Sequence, residues 1–247
     1  MIRLVLGNVG SGKTASTVRW MKTHNDRTIV TNIAVKGKDF KHVIKLKPEM
    51  ILLKEPKGQK KNGEVVYDLK LNTQFWKDLV KDKKKLHVVI DEAHTFFNPR
   101  RSMSKINIIM TDFLALLRRV LGSNDSTGEL VLITQLSRRL DVIAKEMATK
   151  TQYCVYHFIE QCNNCGVKWQ DNNENPDKRY NCPKCNSHRI QRIQSVIEIW
   201  DFRNVDDFNR FHDYNEKTYY NHYLIRDITT IFGNYDTLQW DDLLSNY

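Results

Sequence analysis

Eight residues near the start of the chain have the types and spacing to hold phosphate. They read Gly7-Asn8-Val9-Gly10-Ser11-Gly12-Lys13-Thr14 and fit the pattern Gly-x-x-x-x-Gly-Lys-Ser/Thr. Gly7, Gly10 and Gly12 permit backbone angles that a Cβ would forbid, so consecutive amide N–H groups can turn inward around phosphate oxygens. Lys13 would reach the β- and γ-phosphates of ATP, and the Thr14 hydroxyl would bind Mg²⁺. Ala15 continues into a helix whose positive end faces the same anion.

Two further positions complete the chemistry. The run "HVVI" is followed by Asp91 and Glu92. Asp91 would hold Mg²⁺, directly or through water. Glu92 would polarise or orient an attacking water, which points to hydrolysis rather than passive binding. Gln135 closes another apolar run, "ELVLIT". If that strand neighbours the strand of Asp91, the Gln135 amide faces the γ-phosphate, where it can sense phosphate or help place the water. The letters "DEAH" (91–94) do not make the chain a DEAH-type helicase, because too little sequence follows Gln135 for a second motor domain. His94 reads instead as a group supporting the acid pair.

A separate constellation lies downstream. Cys162-x-x-Cys165 and Cys182-x-x-Cys185 are separated by sixteen residues, the spacing of a four-thiolate zinc site. Four thiolates leave no open coordination position, so the zinc would be structural. The stretch "QDNNENPDK" between the pairs is almost devoid of apolar residues and could not stay folded by burial alone. Gly166 eases the turn after the first pair, and Pro183 stiffens the second. His157 and His188 are weaker ligand candidates, and Cys154 falls within a strand as a core residue.

These groups need elements to position them. Ile2–Leu6, 26–33, 86–91 and 129–135 read as strands, and Ala15–Lys22 and 104–121 carry helical periodicity. The segment 63–71 alternates like a strand, whereas "KEPKGQKKNG" (54–63) reads as a turn-rich basic loop. Asn72–Leu79 reads as a short capped helix, and 137–150 as a helix capped by Ser137. The strand-like segments 152–159 and 190–202 bracket the cysteines. Strands alternating with helices after a phosphate loop predict an α/β fold, a mostly parallel central sheet flanked by helices, with the ligand at the carboxyl edge of the strands.

The 247 residues suit one large domain with a small added module, and 40% hydrophobic content supports a core. No run of about 18 apolar residues occurs, and no signal-peptide layout precedes the loop, so a cytoplasmic protein without a membrane span is expected. Net charge is +10, unevenly spread. Residues 1–197 carry 35 bases and 19 acids, hence +16, whereas from Glu198 onward ten acids face four bases, hence −6. A body this basic suggests a polyanion partner, with a lysine-rich solvated surface as the alternative. Lys36–Lys61 holds nine lysines and no arginine, which suits sequence-independent contact with phosphates.

The set "GNVGSGKT", "IVTNI", "VVIDEAH" and "LITQLSRRLD" resembles the Zot-like branch of the FtsK–HerA ATPase superfamily, over roughly residues 1–160. The contexts of Asn32 and Gln135 narrow the resemblance to that branch. The superfamily includes chromosome translocases, conjugation motors and viral genome-packaging ATPases. The resemblance implies a RecA-like P-loop NTPase core acting as a homo-oligomeric ring, hexamer or pentamer. It also implies an arginine that reaches a neighbour's γ-phosphate. Arg118 or Arg119 is favoured for that role on the family analogy, with Arg138, Arg139, Arg100 and Arg101 as the other pairs. Two features depart from the pattern. Phage Zot proteins usually carry a membrane span, and the cysteine insert is not general to the family.

The expected organisation is an ATPase core over 1–160, a zinc-ribbon insert over 161–189, a returning strand over 190–203 and an acidic aromatic tail over 204–247. The expected function is an ATP-hydrolysing translocase that packages or transfers viral or mobile-element double-stranded DNA. The alternative is a Zot-like nucleotide-dependent virion assembly protein that does not pump DNA. Trp169 and Tyr180, among Lys168, Lys178, Arg179, Lys184, Arg189 and Arg192, could stack on bases; the ribbon could equally dock on protein. The tail is a candidate docking element for a capsid or another assembly partner.

Overall fold

A computed structural model describes residues 1–60, 63–82, 85–97, 105–121, 128–135, 140–171 and 181–236. Ser137, Arg100, Arg101, Arg138, Arg139, Lys178, Arg179, Tyr180 and Trp240 lie outside those residues.

Short apolar runs make the centre of the sheet. β1 (Ile2–Leu6), β6 (Leu86–Ile90) and β7 (Glu129–Ile133) are buried along their whole length, as expected of strands covered on both faces. β2 (Thr28–Thr31) and β3 (Val43–Lys45) extend one side. β8 (Lys150–Cys162), β10 (Ile190–Phe202) and β11 (Asn221–Arg226) extend the other. The strand order is β11-β10-β8-β1-β7-β6-β2-β3. From β8 to β3 all neighbours are parallel. β10 and β11 run antiparallel, and β9 (Lys168–Asp171) pairs with the far end of β8. The sheet is therefore mostly parallel and mixed at one margin.

Alternation along each strand feeds two apolar layers. Leu4, Val88, Ile90, Leu130 and Leu132 face one side, with α3 (Thr73–Asp82), α4 (Lys105–Leu121) and α6 (Val205–Tyr214) packed against them. Trp76 on α3 and Phe113 on α4 are fully buried there, ring centroids 5.0 Å apart. Val5, Val89, Val131 and Ile133 face the other side, against α1 (Lys13–Thr23) and Ile231 of α7 (Thr229–Phe232). One charge sits inside this apolar frame. Arg3 of β1 is held by Glu129 at 3.0 Å and by Gln152 at 3.0 Å, with its guanidinium 4.5 Å from the Trp20 ring.

Three expectations are corrected. The basic segment 54–63 is no simple loop, because Leu52–Gln59 forms β4 and pairs antiparallel with β5 (Val65–Leu71). The register shifts between Pro56 and Gly58, a bulge that lets Pro sit in a strand pairing on one edge only. The helix expected over 137–150 is shorter, α5 (Val142–Glu146), preceded by the short α2 (Pro48–Ile51) earlier in the chain. Its cap is Asp141, whose carboxylate accepts from the Ile143 N–H at 3.0 Å; Lys150 already belongs to β8. Within the segment expected as a tail, residues 205–236 are built into the fold. α6 covers the core, β11 joins the sheet and α7 packs on α1.

Candidate functional site

β1 ends at Leu6 and the chain turns at once into α1, so the phosphate loop lies at the carboxyl edge of the sheet. The turn needs its glycines. Gly12 has φ +82, and a Cβ there would collide with the side chain of Ile197. Gly7 approaches so closely that a Cβ would meet the Ser11 hydroxyl and the Cys154 carbonyl oxygen. Gly10 has φ +77 with open space above it. Its neighbour Val9 is 75% exposed, as the crest of a loop must be. Lys13 is buried, and its ammonium donates to the carbonyls of Gly7 at 2.9 Å and Asn8 at 2.7 Å. Burial holds its pKa below the ordinary lysine value, partly offset by the nearby Asp91 and Glu92 carboxylates. Ala15 is buried under the loop.

β6 delivers the acids to the same edge. The Thr14 hydroxyl donates to Asp91 Oδ2 at 2.8 Å. The Glu92 backbone N–H donates to Asp91 Oδ1 at 2.8 Å. Asn32, just past β2, grips the Asp91 backbone from both sides: its Nδ2 donates to the Asp91 carbonyl at 2.9 Å and its Oδ1 accepts the Asp91 N–H at 2.8 Å. Burial raises the Asp91 carboxyl above its usual range, against the lowering effect of the Thr14 and Glu92 hydrogen bonds. Glu92 sits in the left-handed region at φ 51. Its Oε2 lies 3.1 Å from His94 Nδ1, and His94 Nδ1 lies 3.3 Å from the Thr134 hydroxyl. A non-glycine residue at positive φ after a strand is the kind of local strain that functional sites store.

β7 lies between β1 and β6, so Gln135 emerges between the phosphate loop and the acid pair. Its backbone carbonyl accepts the Gly7 N–H at 3.3 Å. Arg118 and Arg119 are elsewhere. Both are exposed in the last turn of α4. That 17-residue helix spans roughly 25 Å and returns the chain to the opposite edge of the sheet before β7 begins. Leu121, two residues on, lies beside Gly128 at the start of β7, so both arginines sit at the edge of the sheet opposite the loop.

The donor set suits Mg²⁺ with a polyphosphate. A hydroxyl and a carboxylate oxygen, both hard ligands, meet beside a lysine and a row of backbone N–H groups. The Ser11 hydroxyl is buried with no hydrogen-bond partner among the described residues, a cost that an added polar ligand would relieve. A cavity of about 430 Å³ opens above Gly10–Ala15. Its far wall is Tyr156, Phe232, Tyr235 and Asp236. The sequence reading missed those four. Only one local signal pointed to them: Tyr156 lies two residues beyond Cys154, on a strand that outruns β1.

The cysteines form a second centre. Cys162, Cys165, Cys182 and Cys185 bring their four Sγ atoms within 4.8 Å of one another. Two matching turns hold them. The Asn164 N–H donates to Cys162 Sγ and the Lys184 N–H to Cys182 Sγ, each at 3.4 Å. Gly166 (φ +72) and Asn186 (φ 55) end the turns in the left-handed region. Bonds from the Asn164 side chain and the Ser187 backbone pull the Cys185 thiol down, while the crowding of the other sulfurs pushes Cys165 up; the thiols titrate as one set, and it is their convergence that suits a metal. Four converging sulfurs fit a tetrahedral soft-metal site such as zinc. His157 is not near a ligand role, since its Nε2 bonds Glu198 at 2.7 Å. Cys154 lies apart, buried against Ser16, and burial pushes its thiol up to about 11.

The sequence profile of the family described as Zonular occludens toxin (Zot) matches residues 1–176. No curated protein sequence matches the chain. Among solved structures, the N-terminal domain of zonular occludens toxin from Neisseria meningitidis is similar at 16% identity and TM-score 0.47, covering 95% of this chain and 98% of that one. The genome packaging NTPase B204 from Sulfolobus turreted icosahedral virus 2, in complex with ATP-gammaS, is similar at 17% identity and TM-score 0.36, covering 62% and 74%. The FIGL-1 AAA domain in complex with ADP is similar at 16% identity and TM-score 0.37, covering 62% and 42%.

Proposed function

The chain belongs to the Zonular occludens toxin (Zot) family, and from that premise we propose that it is an ATPase whose hydrolysis drives double-stranded DNA through a ring of identical subunits. The observation that carries the nucleotide half is the 2.8 Å bond from Thr14 to Asp91 beside the buried Lys13. Two motifs 77 residues apart share one pocket.

In this reading the Gly7–Gly12 amides and Lys13 bind the β- and γ-phosphates. Mg²⁺, held by Thr14 and Asp91, would supply positive charge against the phosphate oxygens. Glu92 orients the attacking water and takes its proton; its Oε2 is buried with no hydrogen-bond partner among the described residues, which leaves that atom to the water. Gln135 supports that water from the strand between loop and acids. Arg118 or Arg119 completes the site of an adjacent subunit, which makes turnover depend on the ring. The four cysteines carry a structural zinc in a ribbon over 161–189. The +16 of residues 1–197 supplies contact with phosphates irrespective of base sequence. Among the described residues no helix is long and apolar enough to cross a membrane.

One observation favours the second reading, a nucleotide-dependent virion assembly protein that moves no DNA. Part of the lysine-rich hairpin is neutralised in place: Lys60 pairs with Glu64 at 2.8 Å and Lys70 with Glu55 at 2.5 Å. Steady-state ATPase with and without long double-stranded DNA separates the two. The motor reading expects stimulation that fades with added salt and is abolished in Glu92→Gln. Hydrolysis indifferent to DNA would favour the assembly role, and no hydrolysis would remove the ATPase assignment.

A further inference from the structure

The cavity over the phosphate loop has two unlike walls. One is the loop and the first turn of α1, polar and rich in N–H donors. The other is aromatic, made by Tyr156, Phe232 and Tyr235 with Asp236 beside them. Phosphate alone has no use for that second wall.

The aromatic wall is built from parts far apart in sequence. β8 pairs with β1 only through Tyr153, opposite Leu6, and then continues past the end of β1. Cys154 and Tyr156 are two residues apart on that extension and so point to one side. The Cys154 side chain meets Ser16 of α1, and Tyr156 lines the cavity beside the loop. Phe232, the last residue of α7, meets Tyr156 edge to face at 6.3 Å between centroids. Its own ring is 43% exposed, a large apolar surface left beside a polar pocket. The chain then runs back toward β2. The Asp236 N–H donates to the Ala34 carbonyl at 3.1 Å, and the Lys36 N–H to the Asn234 carbonyl at 2.6 Å. Tyr235 pairs with Val35 and is buried against the site. Burial and the neighbouring Asp91 carboxylate push its phenol up to about 12, so it stays a neutral hydrogen-bonding group.

Resting on the nucleotide-site reading above, we infer that Tyr156 and Phe232 are the nucleobase subsite: a purine ring stacks on this aromatic pair while its triphosphate lies along Gly10–Thr14. The residues Ile228–Asp236 thus serve the nucleotide, and Tyr235 closes the pocket between base and metal ends. The dimensions agree, since about 430 Å³ falls in the range of pockets that enclose small organic ligands. Because the two rings meet edge to face, the base stacks on the exposed face of Phe232 with the Tyr156 ring standing edge-on beside it. The clamp is contributed by the same chain as the loop, so it works before any ring assembles.

The test is calorimetric titration of the full chain with Mg²⁺ present, using ATP and inorganic tripolyphosphate as separate ligands, on wild type, Phe232→Ala and Phe232→Trp. Phe232 is half-exposed at the end of a short helix, so the variants keep the fold, and a thermal melt of each verifies it. The inference expects Phe232→Ala to weaken ATP roughly tenfold with tripolyphosphate unchanged, and Phe232→Trp to retain wild-type affinity. Equal loss for both ligands, or no loss for ATP, would overturn the clamp while leaving the phosphate-loop reading standing. Wild type that binds neither ligand would overturn both.

Discussion

The nucleotide pocket and the cysteine cluster both gather polar atoms within a few ångströms, but they are made rigid by opposite means. The pocket sits on the carboxyl edge of three fully buried strands, and its key acid is fixed by Asn32, Thr14 and the Glu92 amide. The sheet core would hold it in place with no ligand at all. The cysteine turns have no such backing. They lie between the far ends of β8 and β10, where the sulfurs' partners are backbone amides, the Asn164 side chain and one another. A site built on a core can be altered residue by residue; a cysteine cluster held together by a metal, as proposed here, would be lost as a unit.

The largest effect should come from the metal side. Structural zinc contributes about 10–16 kcal/mol of binding free energy in small modules. Cys162→Ser with Cys182→Ser should abolish binding of one zinc per chain and strip amide-exchange protection from the cysteine turns. Protection in β1, β6 and β7 should persist, and a collapse there would break the distinction between the two regions. On the pocket side, Gly12→Ala forces a Cβ into the left-handed region and into Ile197. It should cost about 2–4 kcal/mol in urea unfolding; a loss under about 0.5 kcal/mol would mean the loop is softer than its packing indicates. Asn32→Ala leaves the buried N–H and C=O of Asp91 without their side-chain partner. That should cost about 1–3 kcal/mol and leave zinc content unchanged.

The smallest effect has the opposite sign. The Asp91 carboxyl is raised by burial. A group whose folded pKa lies above its unfolded value stabilises the fold while protonated, and that contribution disappears as pH rises through the folded value. Asp91→Asn should therefore melt with wild type below the ordinary value of 3.8 and above it by a margin that widens until pH passes the raised folded value and is level beyond it. A margin that stays constant with pH would show that the acid carries no electrostatic cost in its site.

Sequence legibility followed the same division. The positions of Gly7–Thr14, Asp91, Gln135 and the four cysteines could be placed, their roles remaining proposals, because the loop and the cysteine pairs are short motifs fixed by local geometry and the buried strands that end at Asp91 and Gln135 show as uninterrupted apolar runs. What escaped was non-local or locally misleading. Pro56 and Gly58 are turn signals, yet here they mark a bulge inside β4. Arg3 looks out of place in an apolar run until Glu129 and Gln152 arrive from strands more than a hundred residues away. Asn186 matches Gly166 in conformation, but asparagine carries a weaker turn signal than glycine. Tyr156, Phe232 and Tyr235 carry no motif, and only the return of the chain after β11 brings them over the loop.

The measurement that bears most directly on a shared site for loop and acid is the Mg²⁺ dependence of ATP affinity in wild type and Asp91→Asn. If Thr14 and Asp91 hold the ion that the phosphates share, wild type binds ATP more tightly with Mg²⁺ than with excess chelator. The variant should then keep metal-free binding through Lys13 and the loop but lose the gain from Mg²⁺. An unchanged Mg²⁺ dependence in Asp91→Asn would contradict the account.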